Sequence, residues 1–293
     1  MDLLSAVANG ISMGGVYGLI ALGLTLLFGT MKIINFGHGA LLMLSMLVGY
    51  WFWSFTHINP YLLILAVGPV MFIVGYAVQR VMIKPVLDNE KDVREPTSIL
   101  LLTAAFAVVL ENLSLMIFGA DYKMAETTFS SVTISLAGVT VSASRFYALL
   151  ITLVVAGIFY MIMQYTELGR SLRAIGQDRN TASLMGINVP HYFALAFGIG
   201  TALLAVAGLA LLPFYYVHPT VGQVFMTKAF IVVVLGGLGS IPGAIVGGII
   251  IGLIESLGAQ FMTATLTLMC IYLVFLIILF VKPSGLFGSA DEW

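Results

Sequence analysis

The chain has 293 residues, 60% of them hydrophobic and only 9% charged, with a mean hydropathy of +1.09. So little charge cannot cover the surface of a water-soluble domain of this size, and a net charge of −1 without a basic patch excludes nucleic acid as a partner. Cys270 is the only cysteine, which excludes an intramolecular disulfide and a thiolate metal cluster.

Apolar tracts run at 4–28, 39–55, 61–83, 97–118, 146–165, 191–213, 225–257 and 264–281. Several reach the ~20 residues that a bilayer-spanning helix needs. The expected fold is all-α, a polytopic bundle in a lipid bilayer, with residues 1–293 as one transmembrane domain. The first tract is long and begins Met-Asp, so a cleaved signal peptide is not expected. Gly10, Gly14 and Gly18 repeat every four residues there and read as a helix-packing stripe. Asn9 and Ser12 make a weak polar face near its outer end. "KIINFGHG", Lys32 to Gly39, is a short turn carrying Asn35 and His38. A lone histidine in a loop reads as structural, so no metal is expected.

The gap "KPVLDNEKDVREP", 84–96, carries Lys84, Lys91 and Arg94 and faces the cytoplasm by the positive-inside rule. In the fourth tract Thr103, Ala107, Glu111 and Ser114 share one helical face, with Asn112 adjacent. A carboxyl at that depth is costly and faces a bundle interior or a cavity. Two readings fit: Glu111 lines a path, or it makes a structural hydrogen bond between helices. The gap at 119–145 is long, mixed in charge and rich in Ser and Thr, and falls outside.

The segment "TELGRSLRAIGQDRNTASLMGINVP", 166–190, carries Arg170, Arg173 and Arg179 and again faces the cytoplasm. Asp178 is placed to N-cap a short helix over about 179–185, with Gly186 as its C′ residue. Pro190 suits the first turn of the next span. A short amphipathic helix held under a membrane fits docking of a partner; the alternative is a solvated loop whose arginines only fix topology. Counting outward from these two loops places the N-terminus outside.

The tract 225–257 is too long for one untilted span and too short for two. Gly236 to Gly243 hold four glycines, a serine and a proline. Irregular backbone survives in lipid only when protein or a watery cavity surrounds it, and broken helices build many transporter sites. The reading is two half-helices around a non-helical turn at Gly236, Gly237, Gly239 and Ser240 near mid-membrane: a re-entrant hairpin beside seven full spans, with the C-terminus cytoplasmic. Two alternatives stay open: eight ordinary spans with 225–257 as one long kinked helix, and glycines that serve packing alone, since Gly243, Gly247, Gly248 and Gly252 have small-residue spacing. Glu255 and Gln260 lie near the outer end of this unit, close to water.

The 166–190 segment resembles the cytoplasmic coupling loop of ABC-importer permeases. "INFGHGALLML", "VVVLGGLGSIPGAIVGG" and "KPSGLFG" resemble the Liv-type branched-chain amino acid permeases, and within them the H-type subunit. The four blocks cover nearly the whole chain in order. The resemblance implies a bacterial inner-membrane permease working with a second homologous permease subunit, two cytoplasmic ATP-binding subunits and a periplasmic substrate-binding protein. It implies that Gly169, Arg170, Arg173, Ala174, Asp178, Ala182 and Gly186 contact an ATPase. A path through Asn9, Ser12, Asn35, Thr103, Glu111, Asn112 and the glycine-rich turn is the companion expectation. No G-x-x-x-x-G-K-[ST] occurs, so ATP and Mg belong to partner chains. No catalytic triad, zinc-protease or dinucleotide fingerprint occurs either, so the chain is not read as an enzyme. The competing reading is a stand-alone channel or ion-coupled carrier that uses Glu111.

Overall fold

The computed structural model describes residues 3–89, 97–127, 130, 132–136 and 139–288. Lys91 and Arg94, used above to orient the chain, lie outside the described residues. Twelve α-helices are described: α1 (Leu3–Met31), α2 (His38–Thr56), α3 (Pro60–Val78), α4 (Lys84–Asn89), α5 (Thr97–Phe118), α6 (Ala143–Tyr165), α7 (Glu167–Gln177), α8 (Arg179–Leu184), α9 (Val189–Leu211), α10 (Val221–Gly236), α11 (Ile241–Phe261) and α12 (Ala264–Val281). A π-helical turn at Gln79–Ile83 joins α3 to α4 in one run. Among the described residues, eight helical stretches are long and apolar enough to cross a membrane, and α10 is a shorter apolar helix. The polytopic helical bundle is therefore the observed fold.

Helix starts follow local chemistry. Asn59, Asn188 and Ser240 accept backbone N–H bonds at the starts of α3, α9 and α11, each with a proline in the first turn. Thr166, Asp178 and Thr263 do the same for α7, α8 and α12. The starts of α2, α6 and α10 lack a side-chain cap, and those of α2 and α10 matter below.

α1 and α9 form the centre and are buried along most of their length, whereas α5 and α12 lie at the rim with most of their apolar surface uncovered. α11 runs antiparallel against α1 through a seam of small residues. A Cβ at Gly14 would sit 2.7 Å from the Gly248 carbonyl and the Ile249 Cα, and one at Gly10 only 3.0 Å from the Gly252 carbonyl. The two glycine stripes read separately from the sequence are the two halves of one contact. Backbones packed this closely gain dispersion contacts that lipid cannot supply.

The break in the 225–257 tract falls at residues 237–240, between α10 and α11, but two features of the expected hairpin are corrected. α11 has 21 residues, so it is a helix of full spanning length and not a half-helix. The turn is not at mid-depth. Gly239 packs on Gly29 in the last turns of α1, and Gly237 packs on Ser284 and Gly288, beyond the end of α12. That is the end of the bundle that carries α7. Leu286 N–H donates to the Leu235 carbonyl (2.8 Å) and Phe287 N–H to the Gly236 carbonyl (3.0 Å). The segment after α12 thus satisfies carbonyls that the end of α10 would otherwise leave open.

A β-hairpin, β1 (Thr133–Leu136) with β2 (Val139–Ser142), lies in the connection between α5 and α6 and was not expected. Its period-2 pattern, "TISL" then "VTVS", was the available signal.

Candidate functional site

Two surfaces gather the polar residues singled out from the sequence. The first is the α7–α8 unit. Thr166 caps α7, which buries Gly169, Leu172 and Ile175. Arg173 donates to the Met163 carbonyl at the end of α6, and Arg170 to the Tyr165 carbonyl (3.3 Å). Ala174 closes the last turn of α7, accepting from Asp178 N–H (3.1 Å). Asp178 then accepts from Asn180 N–H (2.8 Å), Thr181 N–H (3.2 Å) and the Thr181 hydroxyl (2.6 Å). The Thr181 hydroxyl first, then these two amides, hold its carboxyl below the usual carboxylate range. Ala182 is the buried contact of α8, and its carbonyl receives Ile187 N–H (3.1 Å) around Gly186 at φ +87°. This is the left-handed helix end that glycine suits. Leu184 and Met185 remain 88% and 80% exposed. The sequence reading had only the second of these two helices. The apolar spacing of Leu168, Leu172 and Ile175 after Thr166 was the signal for the first.

The second surface is a cleft of about 460 Å³ between α5, the first turn of α2 and the first turns of α10. Phe36, Gly39, Ala107, Glu111, Gln223 and Met226 are among its walls. Residues 32–37 are not helical. Phe36 N–H donates to the Thr103 hydroxyl (3.2 Å), and Gly37 N–H to Asn35 Oδ1 (2.9 Å). Asn35 is 1% exposed, yet its Nδ2 has no hydrogen-bond partner. Glu111 accepts from Gln223 Nε2 (2.9 Å). Gly39 and Gly222 meet backbone to backbone, so the uncapped starts of α2 and α10 lie side by side. His38, Val221 and Gln223 N–H are taken by the Asn35, His218 and Thr220 carbonyls, and Gly39 and Gly222 bring the partial positive charge of the two helix starts to the cleft wall.

The remaining expected path residues lie elsewhere. Asn112 is exposed and donates to the Val108 carbonyl of its own helix (2.8 Å). Asn9 is at the far end of α1, bonded to Arg145, and Ser12 donates to the Ala8 carbonyl (2.9 Å). Gly236, Gly237, Gly239 and Ser240 belong to the turn at the α7 end, where Gly239 borders a small cavity of about 110 Å³. Gly243 N–H donates to the Ser240 hydroxyl (3.2 Å). His38 bonds the Ile20 carbonyl (2.9 Å), a structural role. Gln223 was missed. It lies four residues before Thr227, on the α10 face toward α5, and its partner Glu111 is 112 positions away.

Comparison with known proteins decides what kind of molecule carries these surfaces. The family described as the branched-chain amino acid transport system, permease component, matches residues 6–279. The chain belongs to this permease family. It is 31% identical to the high-affinity branched-chain amino acid transport system permease protein LivH of Escherichia coli K12, over 98% of this chain and 96% of that protein. It is 30% identical to LivH of Salmonella typhimurium, with the same coverage, and 28% identical to BraD of Pseudomonas aeruginosa, a permease of the same description, again over 98% and 96%. No solved structure matches. The permease is thus a membrane-embedded subunit of an ABC importer.

Proposed function

We propose that the chain forms one half of a branched-chain amino acid importer of a bacterial inner membrane. The α7–α8 unit docks a cytoplasmic ATP-binding subunit, one of two, which hold ATP and Mg. A second, homologous permease subunit closes the open side of the α5–α10 cleft, and a periplasmic binding protein delivers substrate. In this arrangement the N-terminus is outside and the C-terminus cytoplasmic, with α7 and the 237–240 turn on the cytoplasmic face.

The observation that carries the reading is the α7–α8 unit itself. It is a capped, side-chain-anchored pair of helices that presents Leu184 and Met185 to solvent. Apolar side chains held out by a rigid frame suit a partner surface, because little ordering entropy remains to be lost on docking. The cleft supports the substrate class: two helix starts with partial positive charge on its wall suit a carboxylate, and apolar walls from Phe36, Ala107 and Met226 suit an aliphatic side chain.

Reconstitution of the chain with its permease partner, ATP-binding subunits and binding protein in liposomes tests this. The expected result is ATP-dependent leucine uptake that stops when the ATP-binding subunits are omitted. Uptake by the chain alone, driven by an ion gradient and lost in Glu111→Gln, would establish the carrier reading instead.

A further inference from the structure

At the end of α1 opposite α7 lies a second cavity of about 510 Å³, bounded by α1, α11, the start of α6 and the connection after α9. Met13, Phe214, Tyr215 and Ala259 give it apolar and aromatic walls. Three charged side chains meet around it. Lys228, 7% exposed, donates to Glu255 Oε1 (2.6 Å) and to the Tyr17 hydroxyl (2.8 Å). Tyr17 donates to the other oxygen of Glu255 (2.6 Å). That ammonium and carboxylate cancel and are satisfied.

Arg145 is not cancelled. Its Nη1 donates to the neutral Asn9 Oδ1 (3.0 Å), and its guanidinium lies 5.7 Å from the centre of the Phe214 ring. Among the described residues no carboxylate pairs with it. A guanidinium has five N–H donors in a planar fork that matches a carboxylate in two places. Among the described residues, one hydrogen bond from Arg145 occupies that fork. Among the described residues, Lys228, Glu255 and Arg145 sum to a net charge of +1 around the cavity, in partly enclosed surroundings where an unpaired charge is costly. Its volume falls in the range of small-molecule sites.

We propose that this cavity binds a small carboxylate with an aliphatic tail, an α-amino acid of the transported class, with its carboxylate on Arg145 and its side chain against Phe214 and Tyr215. The site is separate from the α5–α10 cleft and acts without the binding protein. Its ligand class rests on the amino-acid-transport reading above.

The test is equilibrium binding of tritiated leucine to the assembled transporter in nanodiscs, with no binding protein present. Saturable binding is expected, weakened at least tenfold by Arg145→Gln. Unlabelled 4-methylpentanoate, which keeps the carboxylate, should compete; leucinamide, which lacks it, should not. Wild-type affinity in Arg145→Gln, or equal competition by leucinamide, would overturn the site. If Arg145→Gln does not assemble, Arg145→Lys, which keeps the charge and loses the planar fork, replaces it: weakened affinity supports the site and wild-type affinity overturns it. The two readings fail differently. Absent leucine binding with binding-protein-dependent leucine uptake intact removes this site and leaves the transport function. Absent leucine uptake by the complete transporter removes the transport reading.

Discussion

Two interruptions of helix, residues 32–37 and residues 237–240, look alike in sequence: short, glycine-containing and set between apolar tracts. Their surroundings differ. At 237–240 the polar groups find partners. Ser240 caps α11, Ser240 N–H donates to the Gly237 carbonyl (3.0 Å), and the segment after α12 takes the Leu235 and Gly236 carbonyls. At 32–37 a buried amide donor of Asn35 stays unpartnered beside two uncapped helix starts and an open cleft. A density of glycines therefore marks backbone packed on backbone. A polar side chain left unsatisfied in a short connection marks a place where something else arrives.

The sharpest way to break this contrast is a pair of matched substitutions. Gly237 has φ +103°, and a Cβ there would meet Gly288 N at 2.5 Å. Gly237→Ala should cost about 1–3 kcal/mol in backbone strain alone, with the clash added, and should lower the unfolding temperature in detergent sharply. Gly37 has φ −70°, and a Cβ there would meet Asn35 Oδ1 and Phe106 Cδ1 at 3.1 Å, so these side chains must give way by a few tenths of an ångström. Gly37→Ala should lower the unfolding temperature less than Gly237→Ala while altering leucine uptake. Equal thermal losses in the two variants would erase the distinction.

A smaller effect is expected at the cap. Ser240→Ala removes the hydroxyl that receives Gly243 N–H and should cost about 0.5–2 kcal/mol, read by the same unfolding assay, with uptake per folded transporter preserved. On the other side of the comparison, Glu111→Gln should change stability by less than about 1 kcal/mol, whereas Asn35→Leu, which leaves the buried Gly37 N–H without its acceptor, should cost about 1–3 kcal/mol. Both should reduce leucine uptake several-fold, and Glu111→Gln should also alter its pH profile. Normal uptake in both variants would remove the cleft from the path.

The mildest expectation concerns Asp178. Its carboxyl titrates lower in the folded chain than in the unfolded one, so the ionised form stabilises the start of α8. That contribution is complete above the ordinary carboxylate pKa and is lost as pH falls through the lowered folded value. Retention of the ATP-binding subunits on the purified permease should therefore weaken only in acid. In Asp178→Ala it should be weaker at neutral pH and should lose this acid dependence. An unchanged acid profile in the variant would detach the cap from docking.

The sequence made the spans, the caps and the position of both helix breaks readable, because each has a local cause: apolar length, a Ser, Asn or Asp before a helix, a glycine at a helix end. The depth of the 237–240 turn was not readable. Its glycines are compatible with a cavity at mid-membrane and with close packing at one end, and the choice depends on Gly29 and on residues 284–288, far away in the chain. The same holds for Lys228, which sits in an apolar tract and is neutralised by Glu255 only once α10 and α11 fold back on each other. The Arg145–Asn9 bond joins residues 136 positions apart. Asn9 and Ser12 were readable as polar, but not as remote from Glu111.

Three glycines from three elements touch at the α7 end. A Cβ on Gly176 of α7 would run into the Gly29 carbonyl of α1, and one on Gly29 would lie 3.3 Å from the Gly239 Cα in the α10–α11 turn. No side chain stands between them to bend or change rotamer. The three backbones form a strut without slack, continued by the Gly237 contact into the segment after α12. A displacement applied to α7 is then passed on with little loss to the last turns of α1 and to the hinge of the α10–α11 hairpin. Substituting a larger residue at Gly176 would alter the gearing of that linkage as well as its stability.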